Sequence, residues 1–121
     1  MSARSLHKTE HHLLLCNGKN CKKAGAKAFH KAVQREISNR NCKQTIQTTR
    51  TRCLERCKDK CAAVDYPAGT WYRNLRENDA AELVDTLLNR ELWPEKTSYT
   101  MAGGELRRNK RASKKKKSKT K

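Results

Sequence analysis

Two pairs of closely spaced cysteines constrain this chain more than any other feature. The first pair is Cys16 and Cys21, in the segment Cys-Asn-Gly-Lys-Asn-Cys, and the second is Cys53 and Cys57, in Cys-Leu-Glu-Arg-Cys. Each pair follows a short apolar or β-branched run, and a helix-like segment separates the two pairs. This layout predicts two loops at the same end of a small sheet, with four thiolates converging on one metal centre.

The composition is consistent with a small domain that depends on such a centre. The chain has 121 residues and a net charge of +17, and only 35% of its residues are hydrophobic. A core built from so little apolar surface is small, and a bound metal is a usual source of additional stability at this size. No apolar stretch approaches the roughly 20 residues that span a bilayer. The first ten residues lack the apolar segment of a secretory signal. Six cysteines in such a chain favour metal ligands or reactive thiols over disulfides, and predict a cytoplasmic protein.

The hydrophobic pattern predicts an α/β order of elements. Strands are expected at 11–15, 44–50, 62–66 and 70–73. A helix is expected at 22–38, and a second helix from Asp79 to Asn89 or Leu92. The order is strand, helix, strand, ligand loop, hairpin, helix, which predicts a thioredoxin-like sandwich with a mixed four-stranded sheet and two main helices. The domain is placed at 11–92, after a flexible N-terminus at 1–10. A disordered basic tail is placed at 95–121.

Both predicted helices have an apolar stripe that would face the sheet. In the first helix the stripe is formed by Ala28, Phe29, Ala32, Val33 and Ile37. In the second it is formed by Ala80, Leu83, Val84, Leu87 and Leu88. Asp79 and Glu82 have the spacing of a capping box at the start of the second helix.

The spacing of the four cysteines leaves two kinds of metal centre open. Zinc sites of four cysteines usually have two to four residues between paired ligands, which these pairs reach only at the long end. The plant-type ferredoxin signature requires a further cysteine at the position of Ala24, so that reading fails. Redox thiols normally form a Cys-x-x-Cys motif, which does not occur here. Spacing alone therefore does not separate zinc from an iron–sulfur cluster.

The residues around the cysteines provide a more specific indication. The segment 13–88 resembles the thioredoxin-like [2Fe–2S] ferredoxins, whose relatives include the peripheral 2Fe–2S subunit of respiratory NADH dehydrogenases. The resemblance lies in Leu-Cys-Asn-Gly-Lys-Asn-Cys at 15–21, Gly25, Cys-Leu-Glu-Arg-Cys at 53–57, Tyr-Pro-Ala-Gly-Thr-Trp-Tyr at 66–72 and Asp79-Ala80. It covers about two thirds of the chain in the right order.

The resemblance implies a role for each of the four cysteines. Cys16, Cys21, Cys53 and Cys57 would be the ligands of a [2Fe–2S] cluster, two from each loop. The family further implies one-electron transfer between redox-partner proteins without enzymatic activity, and often a homodimer. The runner-up functions are a cysteine-ligated zinc module whose basic tail binds nucleic acid, and a ferredoxin-like domain that has no cluster and serves in an assembly.

The second loop departs from the family pattern at two points. Glu55 stands where the family commonly has glycine, and Lys60-Cys61 stands where it commonly has Gly-Pro. Cys61 is a substitute ligand, a reactive thiol or a bystander. Cys42 has no paired cysteine and is expected to be a small buried residue. The four histidines, at 7, 11, 12 and 30, are not paired with cysteines at the loop positions that a Rieske-type centre requires.

Basic residues flank the cysteines and are concentrated near the C-terminus. Seven of them lie beside the predicted ligands, where they would raise the reduction potential. They either attract an acidic face on a redox partner or form an ordinary solvated surface. The segment 107–121 contains ten Lys or Arg residues and no acidic residue. It contains no aromatic residue that could stack on bases, so we expect at most weak, non-specific binding of polyanions. The seven flanking residues are Lys19, Lys22, Lys23, Arg52, Arg56, Lys58 and Lys60.

Overall fold

The fold is an α/β arrangement in which helices pack on a mixed sheet. The structure is a computed structural model that describes residues 6–109, except for the side chain of Cys57. Within these residues the strands are β1 (His11–Cys16), β2 (Ile46–Thr51), β3 (Ala63–Tyr66), β4 (Thr70–Tyr72), β5 (Thr97–Ala102) and β6 (Glu105–Arg108). The α-helices are α1 (Lys19–Lys23), α2 (Ala26–Asn39) and α3 (Ala80–Asn89).

The two strands that precede the cysteine pairs are parallel neighbours. The order across the sheet is β2-β1-β3-β4-β5-β6, and every pair except β1–β2 is antiparallel. In the β1–β2 pair the register runs from His11 opposite Ile46 to Cys16 opposite Thr51. Parallel strands end at the same edge of a sheet, so the segments that follow β1 and β2 leave from adjacent points.

One face of the sheet forms the core with helices α2 and α3. Leu13 and Leu15 on β1 alternate with the half-buried Leu14, as expected for a strand with one face covered. Phe29, on α2, is fully buried, and so is Leu83, on α3. The predicted stripes are confirmed except at Ala28 and Leu88, which are exposed. The stripe of α2 is shifted toward Ala26 and His30, which are buried.

The sheet is wider than the sequence predicted. The predicted thioredoxin-like class is confirmed, but the sheet has six strands instead of four. The two additional strands, β5 and β6, form a hairpin at 97–108, which we call the C-terminal hairpin. The prediction of a disordered tail from residue 95 is therefore wrong over this hairpin. The remaining predicted tail, 110–121, and the start of the predicted flexible N-terminus, 1–5, lie outside the described residues.

The hairpin was not predicted from the sequence because polar groups hold it in place. Its buried residues are Thr97 and Ser98, and all four residues of β6 are exposed. Neither strand therefore has the apolar alternation on which strand prediction depends. The Thr97 hydroxyl donates to the Trp93 carbonyl at 2.7 Å, and the Ser98 hydroxyl donates to the Trp71 carbonyl at 3.2 Å.

Two details of the helices also differ from the prediction. The helix predicted at 22–38 is interrupted at Gly25, whose φ of 100° belongs to the left-handed region that favours glycine. The residues before Gly25 form the separate short helix α1, which carries Cys21. Asp79 makes no capping box with Glu82. Its carboxylate instead accepts the backbone N–H of Arg76 at 2.8 Å, one turn earlier.

The C-terminal hairpin provides a test of its own contribution to stability. The side-chain amide of Asn109 donates to the carbonyls of Pro94 at 3.2 Å and Thr97 at 2.9 Å. We expect Asn109→Ala to lower the free energy of unfolding by about 1–2 kcal/mol, because both bonds are lost. Urea denaturation measures this loss, and Asn78→Ala, at an exposed asparagine, is the control. Equal stability of the two variants would contradict the role of Asn109.

Candidate metal centre

The two cysteine loops meet at the end of the β1–β2 pair. We call residues 16–21 the first cysteine loop and residues 53–57 the second. The Asn17 N–H donates to the Thr51 carbonyl at 3.1 Å, which joins the start of the first loop to the end of the strand that precedes the second. A Cβ atom built on Gly18 would lie 2.9 Å from both Cα and Cβ of Cys53. Since a side chain at position 18 would collide with Cys53, glycine allows the loops to approach this closely.

Backbone amides of the second loop point at cysteine sulfurs. The Leu54 N–H donates to Sγ of Cys16 at 3.4 Å, which links the second loop to a cysteine of the first. The Glu55 N–H donates to Sγ of Cys53 at 3.2 Å, within the second loop. Amide donors of this kind stabilise negative charge on sulfur, and they tune the potential of iron–sulfur centres. These donors could not be predicted from the residue types, because they belong to the backbone.

Cys16, Cys21 and Cys61 form a buried group of thiols. All three side chains are at most 2% exposed. Electrostatic and hydrogen-bonding interactions connect Cys21 with Cys16, and Cys61 with Cys21. The thiol of Cys61 also donates to the Cys21 carbonyl at 3.5 Å. Cys61 is thus in direct contact with the predicted ligand Cys21. Its position after Cys57 had indicated only that it lies near the predicted site, not what its role is.

Burial raises the pKa of two of these thiols, Cys21 and Cys61, in the metal-free chain. Burial, more than the neighbouring thiols, raises the pKa of Cys21 to about 12. Burial also raises the pKa of Cys61. Since a cysteine binds metal as a thiolate, metal binding at Cys21 must release a proton that burial otherwise retains.

The described residues fit a centre ligated by cysteine sulfur, although they do not complete one. Among the described side chains, no three His, Cys, Asp or Glu residues are arranged so that they could hold a metal ion. The side chain of Cys57 is outside that description, so one predicted ligand is not placed. The other three lie on the two loops that meet, with Cys16 and Cys21 buried and Cys53 exposed. Sulfur donors, amide N–H groups directed at two of them and the contact at Gly18 are features that a cysteine-ligated cluster requires.

Glu55 has a backbone conformation that favours glycine. Its φ is 61°, in the left-handed region that an L-residue with a side chain adopts at a cost. The loop therefore has at residue 55 a conformation that glycine adopts without steric cost. The side chain of Glu55 is exposed. The departure at residue 55 is thus accommodated by the backbone.

His11, His12 and Cys42 have partners outside the two cysteine loops, whereas His30 contacts the first loop. His11 is buried and pairs with Asp65 at 3.1 Å, at the opposite end of β1 from Cys16. His12 contacts the Thr49 hydroxyl at 2.7 Å. His30, on α2, is buried; burial and then the charge of Arg50 lower its pKa to about 4, and a hydrogen bond with the backbone of Cys16 opposes this shift. Cys42 is buried, as predicted, and its thiol donates to the Ile37 carbonyl at 3.6 Å.

The basic residues predicted around the site surround it with positive charge. Arg56 is partly buried and forms an ion pair with Asp59 at 2.7 Å. The other six flanking residues are exposed, on or next to the two cysteine loops. An anionic centre at these loops would therefore lie under a positive field, which solvent weakens because the side chains are exposed. The six exposed residues are Lys19, Lys22, Lys23, Arg52, Lys58 and Lys60.

Known proteins resemble this chain in sequence. No protein-family model matches it. A protein of Priestia megaterium named "Putative 2Fe-2S ferredoxin" is 37% identical over 81 residues, which are 67% of this chain and 63% of that protein. "Ferredoxin, 2Fe-2S" of Clostridium pasteurianum is 26% identical over 85 residues, 64% of this chain and 83% of that protein. The chain thus spans less than two thirds of the length of the Priestia megaterium relative.

Known structures resemble it in fold. A thioredoxin-like [2Fe-2S] ferredoxin from Aquifex aeolicus superposes with a TM-score of 0.70 at 21% identity, over 79% of this chain and 96% of that one. A second structure, of the wild-type protein at 1.5 Å resolution, gives a TM-score of 0.67 at 22% identity, over 74% and 96%. The chain resembles the thioredoxin-like [2Fe–2S] ferredoxins in sequence and in fold. The relation to the peripheral subunit of NADH dehydrogenases stays a prediction.

The conformation of Glu55 can be tested by substitution. We expect Glu55→Gly to raise the free energy of unfolding of the metal-free chain by about 0.5–1 kcal/mol, because glycine adopts a positive φ without steric cost. Glu55→Ala removes the same carboxylate but keeps a Cβ atom, so it should not be stabilising. Denaturant unfolding compares the three chains. A Gly variant no more stable than the Ala variant would contradict the assigned backbone conformation.

Proposed function

We propose that the chain holds a single [2Fe–2S] cluster on Cys16, Cys21, Cys53 and Cys57 and passes single electrons between redox-partner proteins. The observation that carries this proposal is the contact between the two cysteine loops, where an amide of the second loop donates to Sγ of Cys16 at 3.4 Å. The names of the relatives support a [2Fe–2S] cluster over zinc. When bound, such a cluster supplies a site that takes up and releases one electron.

The residues of the chain would bind this cluster and set its surroundings. The four thiolates would hold it, two from each loop. The amides of Leu54 and Glu55 would stabilise negative charge on the sulfurs of Cys16 and Cys53. Burial of Cys16 and Cys21 would exclude water from one side, while the exposed Cys53 would leave the other side close to the surface. Electrons would then enter and leave on the side of Cys53.

We further propose that the chain acts without a catalytic reaction of its own and in the cytoplasm. Ferredoxins transfer electrons to other proteins, and the relatives are named as ferredoxins. The four buried cysteines, Cys16, Cys21, Cys42 and Cys61, are free thiols, as expected in a reducing compartment. Between residues 6 and 109, no helix has both the length and the hydrophobicity that a bilayer crossing requires. Homodimer formation stays a prediction, as does polyanion binding by the segment 107–121.

Replacing each predicted ligand in turn tests the binding site. We expect the protein purified without oxygen to be brown, with visible bands that dithionite bleaches. Cys16→Ser, Cys21→Ser, Cys53→Ser and Cys57→Ser should each lower the iron content or shift these bands, because serine replaces a sulfur donor. Cys42→Ser is the matched control and should keep both. A colourless wild type with zinc would support the zinc module, and a colourless metal-free one the domain without a cluster.

The salt dependence of electron transfer tests the positive field around the site. Oxidation of the reduced protein by anionic ferricyanide should slow roughly tenfold or more from low to high salt, because salt screens the attraction. Oxidation by a cationic cobalt hexaammine complex should accelerate. Lys58→Glu should weaken both effects more than Lys31→Glu, which reverses the same charge on the exposed face of α2. The same salt dependence with both oxidants would contradict the proposed field.

A further inference from the structure

Arg56 lies between the cysteines of the second loop and contacts two other parts of the chain. Its Nε and Nη2 atoms donate to Oδ2 of Asp59 at 2.8 and 2.7 Å. The guanidinium carbon also lies 5.0 Å from the ring centroid of Tyr99, on strand β5. The loop that carries two predicted ligands therefore contacts the C-terminal hairpin through this one side chain.

Asp59 is itself fixed by the backbone. It is buried, its N–H donates to the Arg56 carbonyl at 2.8 Å, and its own carbonyl accepts the N–H of Asn74 at 2.9 Å. Asn74 belongs to the segment between β4 and α3. The Arg56 guanidinium is thus held at its edge by a carboxylate of fixed position, and its face is free to lie against an aromatic ring.

The second loop contacts the first loop at Gly18 and Cys16, but apart from Arg56 its described side chains have little buried surface. Cys53 and Glu55 are exposed, and only Leu54 is partly buried against the core. Planar geometry lets an arginine bind a carboxylate at its edge and stack on a ring at the same time. A lysine at the same position would keep the charge without combining the two contacts.

We propose that Arg56 is a positioning residue, which fastens the second cysteine loop to the C-terminal hairpin through its joint contact with Asp59 and the ring of Tyr99. For the cluster this inference rests on the proposed function, because it assigns Arg56 an influence on the geometry of Cys53 and Cys57. For the loop itself it rests only on the described contacts. The hairpin is then a support of the site as well as an extension of the sheet.

Tyr99→Leu is the decisive variant, because it removes the ring without changing any charge. Hydrogen exchange of the amides at 53–57 in the metal-free full-length chain should accelerate roughly threefold to tenfold, the range for loss of a cation–π contact of this kind. In the cluster-loaded protein the rate of iron release to a chelator should rise by a similar factor, and the visible circular dichroism of the cluster should change. Tyr99→Phe keeps the ring and should match the wild type in all three measurements.

Variants of Arg56 test the same contact from the other side. Arg56→Gln and Arg56→Lys should accelerate exchange at 53–57 as Tyr99→Leu does, while exchange in β1 and α2 stays unchanged. The double variant Arg56→Gln/Tyr99→Leu should be no faster than the faster single variant, because once Arg56 is replaced the ring of Tyr99 has no guanidinium to contact. Unchanged exchange in Tyr99→Leu and Arg56→Lys, or additive effects in the double variant, would overturn the proposal. A wild type that binds no cluster would refute the proposed function, while the exchange measurements would still decide the role of Arg56.

Discussion

The parallel pairing of β1 and β2 is the constraint on which the site depends. Because the two strands run in the same direction with Cys16 opposite Thr51, the loops that follow them leave the sheet at one edge. A hairpin between these strands would have sent the two cysteine pairs to opposite ends of the sheet. Helix α2 makes the parallel crossover, and its buried face at the same time provides half of the core. Fold and site therefore depend on the same connection.

Backbone geometry, more than side-chain chemistry, brings the two loops together. Gly18 allows the first loop to approach Cys53, and the amides of Leu54 and Glu55 are directed at sulfurs. Glu55 has a positive φ, a conformation that a residue with a side chain does not favour. Side chains contribute at the periphery, where Arg56 contacts both Asp59 and Tyr99. A small domain with few aromatic residues can thus bring two cysteine loops together largely through its main chain.

The sequence predicted those parts of the fold that have a regular apolar pattern. The strands around Leu13 and Val64 and the stripes at Phe29 and Leu83 are where periodicity placed them. The C-terminal hairpin was missed because Thr97 and Ser98 are held by hydrogen bonds and β6 has no buried residue. The contact between Arg56 and Tyr99 could not be predicted either, because it joins residues far apart in the chain. The cysteine spacing predicted a metal centre, but only the resemblance to known ferredoxins indicated its type.

The most direct test of the proposed cluster is chemical analysis of the anaerobically purified protein combined with electron paramagnetic resonance. A [2Fe–2S] cluster predicts iron and acid-labile sulfide in equal amounts, no signal in the oxidised state, and a single paramagnetic signal after uptake of one electron. In the Cys42→Ser control the same values are expected. Iron without sulfide, or zinc in place of iron, would contradict the assignment of Cys16, Cys21, Cys53 and Cys57 as ligands of such a cluster.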